Sequence, residues 1–526
     1  MKRTLLLNFK GPYNCIELGP LIQGMLNDEP DQTISVMTLQ ENEPYMKILS
    51  HLEHVFYIDR KMIKKVGESR IYPRSLALNS LYDSISGALE IEWDKVINFS
   101  NDKTSSYLLP LFNKAEAVGT WIGKDGSVKT NSRWNAYLNY IHGTHNNSFH
   151  SIDIKRNLLK ITDFVSSGIK ENFDYTKVAN ENFDRARVSF NKPESFIVGV
   201  NLSESYSGRA LDLDNMTTVL ESLMDNPSTL PVLIHGPSTE EVEIVKKLNM
   251  NFDNKLLSIN MGISTARSVF SGVAVLIGPP NPFMNIAELS GVKLIEVCME
   301  ENSKVMSVDH YSIKATELSS YYDDILFCLN NHLDIILPVE SMVSRNKIYH
   351  VTTDDHCLFE SQVRGELNLE NELQGHIQRL VHLAILGEEN LAESLDILKK
   401  QADKKTLDGC REVVRGDLMN VVKLLLSSLR ELKQVKDGSG DVHKLIGNVD
   451  RILGISKEKS SIAPALSLFE SCLENMNQQS LQEGLISIER ALFDLKSDLQ
   501  NVTTILDRFA NREDNQRVSH EHPARN

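Results

Sequence analysis

The chain has 526 residues, 41% apolar, 24% charged and 7% aromatic, which is enough for two to four domains with their own cores. Its net charge of −15, with no Lys/Arg run interleaved with aromatics, argues against a nucleic-acid partner. The cysteines (Cys15, Cys298, Cys328, Cys357, Cys410 and Cys472) stand singly with no CxxC, which argues against structural zinc and a disulfide framework.

The opening MKRTLLLNFKGPYN has only a Leu-Leu-Leu core, too short for a signal-peptide core of roughly 7–15 apolar residues. It reads instead as a first strand, and a cytoplasmic protein is expected. No run of about 18 apolar residues predicts a membrane-spanning helix. Residues 3–9 are a predicted strand, KGPYN a turn and 16–26 a helix, followed by strands at 33–39, 54–58 and 94–100. The basic RKMIKK at 60–65 reads as a solvated face. Helices are predicted from 105 and over 148–164. Alternation of this kind predicts a parallel, doubly wound sheet over residues 1–185.

Residues 171–194 are polar and weakly patterned, as an interdomain connection would be. The alternation then restarts with strands at 195–201, 230–236 and 256–260, helices at 213–225 and 239–248, and a strand–turn–helix–strand unit over 273–297. A helix at 318–333 closes this second α/β domain, taken as 195–350. From about 355 to 512 the text becomes Leu-rich and helical, and an all-α helical bundle is expected. Leu418, Val421, Val422, Leu425, Leu429 and Leu432 share one helix face. Leu481, Leu485, Ile488, Leu492, Leu495, Leu499, Val502, Leu506 and Phe509 form a 3.5-residue seam about four heptads long, the spacing of coiled coils and antiparallel bundles. The tail 513–526 is charged and reads as disordered.

Two turns are the candidate sites, because ligands of open α/β sheets bind at the carboxyl ends of strands, where a following helix offers its N-terminal N–H groups. At the first, Lys10-Gly11 leads into a helix carrying Asn14 and Glu17. Glu17 there is either a general base or a partner of the helix dipole. At the second, Gly278-Pro279-Pro280-Asn281 and the N–H groups up to Asn285 either hold a diphosphate or form a plain connection. His235-Gly236, before a Ser238/Thr239 cap and acidic residues, is a third and weaker candidate. The region 94–153 is rich in Asn, Ser, Trp and Tyr, as sugar-facing loops are, and His142, His145 and His150 within it do not have metal-ligand spacing.

Together these stretches resemble the family 9 glycosyltransferases, the ADP-heptose:lipopolysaccharide heptosyltransferases and their relatives, over about residues 1–335. The family's first strand runs into a Gly-Asp turn and a helix with Leu-Pro-Leu, matched here over Leu5 to Leu26 by Gly19-Pro20-Leu21-Ile22. Its donor motif Gly-Pro-Asp-Ser-Gly-Pro-Met-His corresponds without a gap to Gly278-Pro279-Pro280-Asn281-Pro282-Phe283-Met284-Asn285. The chain departs from the family at the chemistry: Asn14 stands where the family has its base Asp, and an amide cannot deprotonate a hydroxyl. The motif's Asp and His fall on Pro280 and Asn285.

The resemblance implies two Rossmann-like domains facing across a cleft (GT-B) and inverting, metal-independent transfer of a heptose from an ADP-sugar. The acceptor would be a hydroxyl of a lipopolysaccharide core or a protein. Glu17 takes the place of the base, Arg209 the phosphate-facing cation, and Gly236 and the 278–285 turn the donor side. Implied partners are a nucleotide-sugar, a glycan or protein acceptor and a peripheral membrane, with protein partners or self-association through the C-terminal helices. The alternative is a catalytically degenerate scaffold that acts through those helices.

Overall fold

The protein is described from a computed structural model covering residues 2–11, 15–16, 18–69, 71, 73–100, 103–112, 114–123, 128–130, 181–205, 208, 211–298, 310–315, 320–339, 344, 346–353, 358–364, 404–456, 462–474 and 480–520. It divides into two units. One comprises residues 1–118 and 153–367, the other 119–152 and 368–526.

The first unit holds two sheets. In the N-terminal one, β1 (Arg3–Asn8), β2 (Thr33–Leu39), β3 (Leu52–Ile58), β4 (Lys95–Asn98) and β5 (Glu116–Val118) lie in the order β3-β2-β1-β4-β5. Every pairing is parallel. The uninterrupted apolar run Leu5-Leu6-Leu7 is what a central strand covered on both faces requires, and all three side chains are fully buried. Helix α1 (Leu18–Asp28) follows β1. Helices α2 (Arg60–Gly67) and α3 (Arg74–Leu89) pack on each other, and α3 packs on β3.

Helix Glu181–Ser189 (α4) runs through the stretch expected to be a plain connection. The second sheet then begins with β8 (Phe196–Asn201), β9 (Thr229–His235), β10 (Leu257–Asn260), β11 (Val275–Gly278), β12 (Lys293–Cys298) and β13 (His310–Lys314). These lie parallel in the order β10-β9-β8-β11-β12-β13. Helices α5 (Leu213–Asp225), α6 (Thr239–Asn251), α7 (Ile263–Phe270), α8 (Pro282–Leu289) and α9 (Tyr322–Leu333) accompany them. Gly291, in the left-handed region at φ 73°, ends α8 at the position the sequence predicts.

The sheet does not stop where the sequence reading ends it. Strands β14 (Lys347–Thr353) and β15 (Leu358–Arg364) add an antiparallel hairpin on β13, reaching into the region expected to be helical. A buried ion pair fixes the outer strand: Arg364 Nη1 lies 3.5 Å from Asp324 Oδ1 of α9, and the guanidinium sits 5.0 Å from the Phe327 ring centre. Asn346 Nδ2 (2.7 Å) and Ser344 Oγ (2.9 Å) donate to the other Asp324 oxygen. Burial pushes the Asp324 carboxyl above its ordinary pKa, against these hydrogen bonds and the Arg364 charge.

Among the described residues of the second unit, a small antiparallel hairpin, β6 (Thr120–Ile122) with β7 (Val128–Thr130), accompanies four helices. They are α10 (Lys404–Lys436), α11 (Val442–Ser456), α12 (Ala463–Glu474) and α13 (Leu481–His520). Helix α10 packs on α11 and α13, and α12 on α11 and α13. The predicted seams supply the packed faces: Leu418, Val421, Leu425 and Leu432 of α10 and Leu492, Leu495, Leu499 and Val502 of α13 are buried. Helix α13 runs on to His520, through the first part of the tail 513–526 expected to be disordered; the rest of that tail and the expected helix at 148–164 lie outside the described residues.

Candidate functional site at the strand ends

Both sheets reverse direction of winding beside their first strand, between β1 and β4 and between β8 and β11. Such switch points open a crevice at the carboxyl ends of the strands. Three of the strands concerned end in Asn, and each carboxamide is used in the same way. Asn8 Oδ1 accepts from Lys10 N (3.4 Å), Asn98 Oδ1 from Ser100 N (3.1 Å) and Asn201 Oδ1 from Ser203 N (3.1 Å). These are Asx turns, which redirect the chain as it leaves the sheet. An apolar run ending in Asn (LLLN, KVIN, VGVN) was the available sequence signal for these residues.

At the first switch point the turn is pinned from below. Asn42 Nδ2 donates to Lys10 O (2.8 Å) and Thr38 Oγ1 (3.0 Å), and Thr38 Oγ1 donates to Asn8 O (2.6 Å). Phe9 N donates to Ser100 Oγ at 2.5 Å. Among the described residues, a Cβ on Gly11 would meet nothing within 4 Å. Asn14 and Glu17, the sequence candidates for proton transfer, lie outside the described residues, as does Arg209 beyond the second switch point.

The second switch point is closed by side chains. Asn281 caps α8, its Oδ1 accepting from Phe283 N (3.1 Å) and Met284 N (3.3 Å) and from Asn201 Nδ2 (2.9 Å). Its Nδ2 donates to Ser203 O (3.2 Å) and Glu204 O (3.3 Å). The expected cradle of helix N–H groups is therefore engaged internally: Pro282 has none, two are held by Asn281 Oδ1, and Asn285 N reaches Asn281 O at 3.4 Å. Gly278 serves packing, because a Cβ there would lie 2.9 Å from Asn201 Cβ and 3.0 Å from Met284 Sδ. Pro279, Asn281 and Asn285 are buried.

At the third candidate, Ser238 caps α6 as expected, accepting from Glu241 N (3.2 Å). Glu241 leans back over Gly236, its Oε2 2.7 Å from where a Cβ would be. A carboxylate in that position repels a phosphate. His235 is buried with Nδ1 2.8 Å from Gly236 O.

The two sheets are also joined directly. Ile16 and Ile48 of the first half belong to one apolar core with Ala266, Phe270, Phe283 and Met284 of the second. Arg267 of α7 donates to Ile48 O, and burial brings its guanidinium down to a pKa of about 10. Among the described residues no group of His, Cys, Asp and Glu is arranged to hold a metal ion, and no helix is long and apolar enough to cross a membrane.

No protein-family model matches this chain, and neither does any curated protein. Among solved structures it is similar to the glycosyl transferase family 9 protein of Veillonella parvula DSM 2008, at 15% identity over 56% of this chain and 80% of that one, with a TM-score of 0.41. It is also similar to the E. coli heptosyltransferase WaaC with ADP-2-deoxy-2-fluoro heptose, at 12% identity over 56% and 88% of the two chains, TM-score 0.38. A third is Anabaena Alr3699/HepE in complex with UDP and glucose, at 12% identity over 63% and 91%, TM-score 0.32. Family 9 glycosyltransferases thus stand among its structural neighbours.

Proposed function

We propose that the chain is a glycosyltransferase using a nucleotide-sugar donor of the ADP-heptose class. The second α/β half (195–350) takes the donor and the first (1–185) the acceptor hydroxyl of a lipopolysaccharide core or protein. The observation that carries this reading is the ungapped 278–285 motif lying at the β8/β11 switch point, where an α/β sheet of this strand order receives a nucleotide.

In the proposed reaction Glu17 removes the acceptor proton as the hydroxyl oxygen attacks the anomeric carbon. The bond to the diphosphate oxygen breaks, and the nucleoside diphosphate leaves with the electron pair. Because Asn281 already engages the first amides of α8, the departing charge falls to Arg209 and to the loop after β8.

The same Asn281 cap favours a second reading, a transferase-like scaffold without turnover, whose C-terminal helices bind a protein partner or a second copy. Calorimetry of the full chain with ADP-sugars and UDP-sugars separates the two. Binding by both the wild type and Glu17→Gln, with sugar transfer lost only in the variant, is the expected result. Silence with every nucleotide-sugar overturns the transferase and leaves the scaffold.

A further inference from the structure

Helix α10 is basic in an acidic chain. Between residues 411 and 436 stand six Lys/Arg (411, 415, 423, 430, 433 and 436) against three Asp/Glu (412, 417 and 431), where the whole protein has a net charge of −15. Glu431 is buried and paired with Lys444 of α11, and Glu412 lies 3.7 Å from Arg415. Among the described residues Arg411 and Lys423 have no ion pair.

Three of these cations surround an apolar hollow. Arg411, Arg415, Met419, Val422 and Lys423 of α10 and Thr503 of α13 line a cavity of about 300 Å³ between the two helices, with the buried Leu418 among them. The apolar lining runs on past the cavity. Met419, Val422 and Leu426 follow at steps of three and four on one helix face, and Met419 is 59% and Leu426 56% exposed. Across the groove, Glu489 meets Lys436 of α10 at 2.5 Å and so marks the flank of α13 turned to α10. Phe493, 52% exposed, stands one turn further along that flank.

Length and charge together select an occupant. From Arg411 to Leu426 the strip is about 22 Å long, four turns of helix at 1.5 Å per residue. A small ligand in the cavity would leave Leu426 and Phe493 in water, whereas a helix laid along the strip covers all the apolar groups, as the helices of this unit already cover one another. The cations at the rim then call for carboxylates on that helix. A second copy offering the same face would set Arg415 and Lys423 against their own counterparts.

We propose that the α10/α13 groove takes an acidic amphipathic helix of a partner protein, its apolar face over Met419, Val422, Leu426 and Phe493 and its carboxylates toward Arg411, Arg415 and Lys423. This rests on the reading in which the C-terminal helices bind a partner, and it narrows that partner to one chemistry and one groove.

The test is fluorescence anisotropy of the full chain with a labelled peptide of about 21 residues, three heptads with Leu at the first and fourth positions and Glu at the flanking ones. The same peptide with Lys in place of Glu is the control. The expected result is binding of the Glu peptide at least about tenfold stronger than that of the Lys peptide. Arg415→Gln with Lys423→Gln lowers the affinity for the Glu peptide about fivefold. Met419→Gln with Leu426→Gln lowers it about tenfold or more. All four positions are exposed and Gln is a good helix former, so the variants should melt as the wild type does, which a thermal scan checks. Silence with the Glu peptide, equal binding of the Lys peptide, or an unchanged affinity in either variant overturns the proposal. So does light scattering that shows a dimer of the wild type dissolved by Met419→Gln with Leu426→Gln, which gives the groove to a second copy. The scaffold reading itself fails by a separate result, sugar transfer by the full chain, which none of these substitutions touches.

Discussion

The two α/β halves of the first unit share the strand order 3-2-1-4-5 and the Asx turn after their first strand, yet their switch points are built to opposite ends. In the N-terminal half the polar groups (Asn42, Thr38, Ser100) hold the backbone of the turn, and no described atom lies within 4 Å of a Cβ on Gly11. In the second half Asn281 reaches across the turn itself, and Gly278 is hemmed in by Asn201 and Met284. Equal topology thus supplies equal crevices but not equal binding capacity. A single carboxamide, placed as a helix cap, uses up donors that a diphosphate would otherwise meet.

The halves differ at their outer edges as well. The second sheet is continued by β14 and β15 and locked by the Asp324–Arg364 pair. Breaking that lock is the largest expected effect: Arg364→Met should cost about 3–5 kcal/mol at neutral pH by leaving Asp324 buried without its cation. Asp324 titrates above its ordinary value in the fold, so the native state holds the proton more tightly than the unfolded chain. Stability from that proton is present below the unfolded pKa and is lost as pH rises through the folded one. Urea unfolding of Arg364→Met should therefore show a smaller loss under mildly acidic conditions than at neutral pH, and an equal loss at both would remove the ion pair from the account.

Next in size is Gly278→Ala, where the new methyl presses on Asn201 and Met284 at about van der Waals overlap. An overpacking cost of about 2 kcal/mol is expected in the same unfolding experiment. A neutral result would mean that the second switch point is looser than its geometry, and the contrast with the first would weaken.

Tyr321→Phe tests the packing of α9 against the loop before α5. The phenol oxygen accepts from Asp212 N at 2.7 Å, and burial raises its pKa from 10.0 to about 12. The substitution should cost about 1–2 kcal/mol. The buried phenol stabilises the fold fully below pH 10.0, and this contribution fades as pH climbs toward about 12. The variant should lack that alkaline component, so unfolding curves between these limits decide the point.

Smallest of all is Gly11→Ala, the counterpart of Gly278→Ala in the first half. With no described atom within 4 Å of the new methyl, the change should stay within about 0.5 kcal/mol. A large loss there would erase the distinction between the two turns.

Much of this was legible in the sequence. The strand at 33–39 and the helix at 213–225 match their structural limits, the helix at 239 starts at its Ser238 cap, and Gly291 ends α8. Alternation of short apolar runs with amphipathic ones, together with caps and a terminal glycine, is written in near neighbours, so it survives reading one residue at a time. The short β5 and the strands β13 to β15 escaped, because His310–Lys314 and Lys347–Thr353 are polar segments that become strands only by pairing with an edge already in place. The lock between Asp324 and Arg364, forty residues apart, and the meeting of Asn201 with Asn281, eighty apart, exist only once the crossover helices have returned the chain to the sheet. Sequence by itself determined that there would be a strand, a turn and a helix at 273–297. Tertiary structure decided that Asn281 would occupy the helix start, because which acceptor reaches an N–H group depends on what the fold brings beside it.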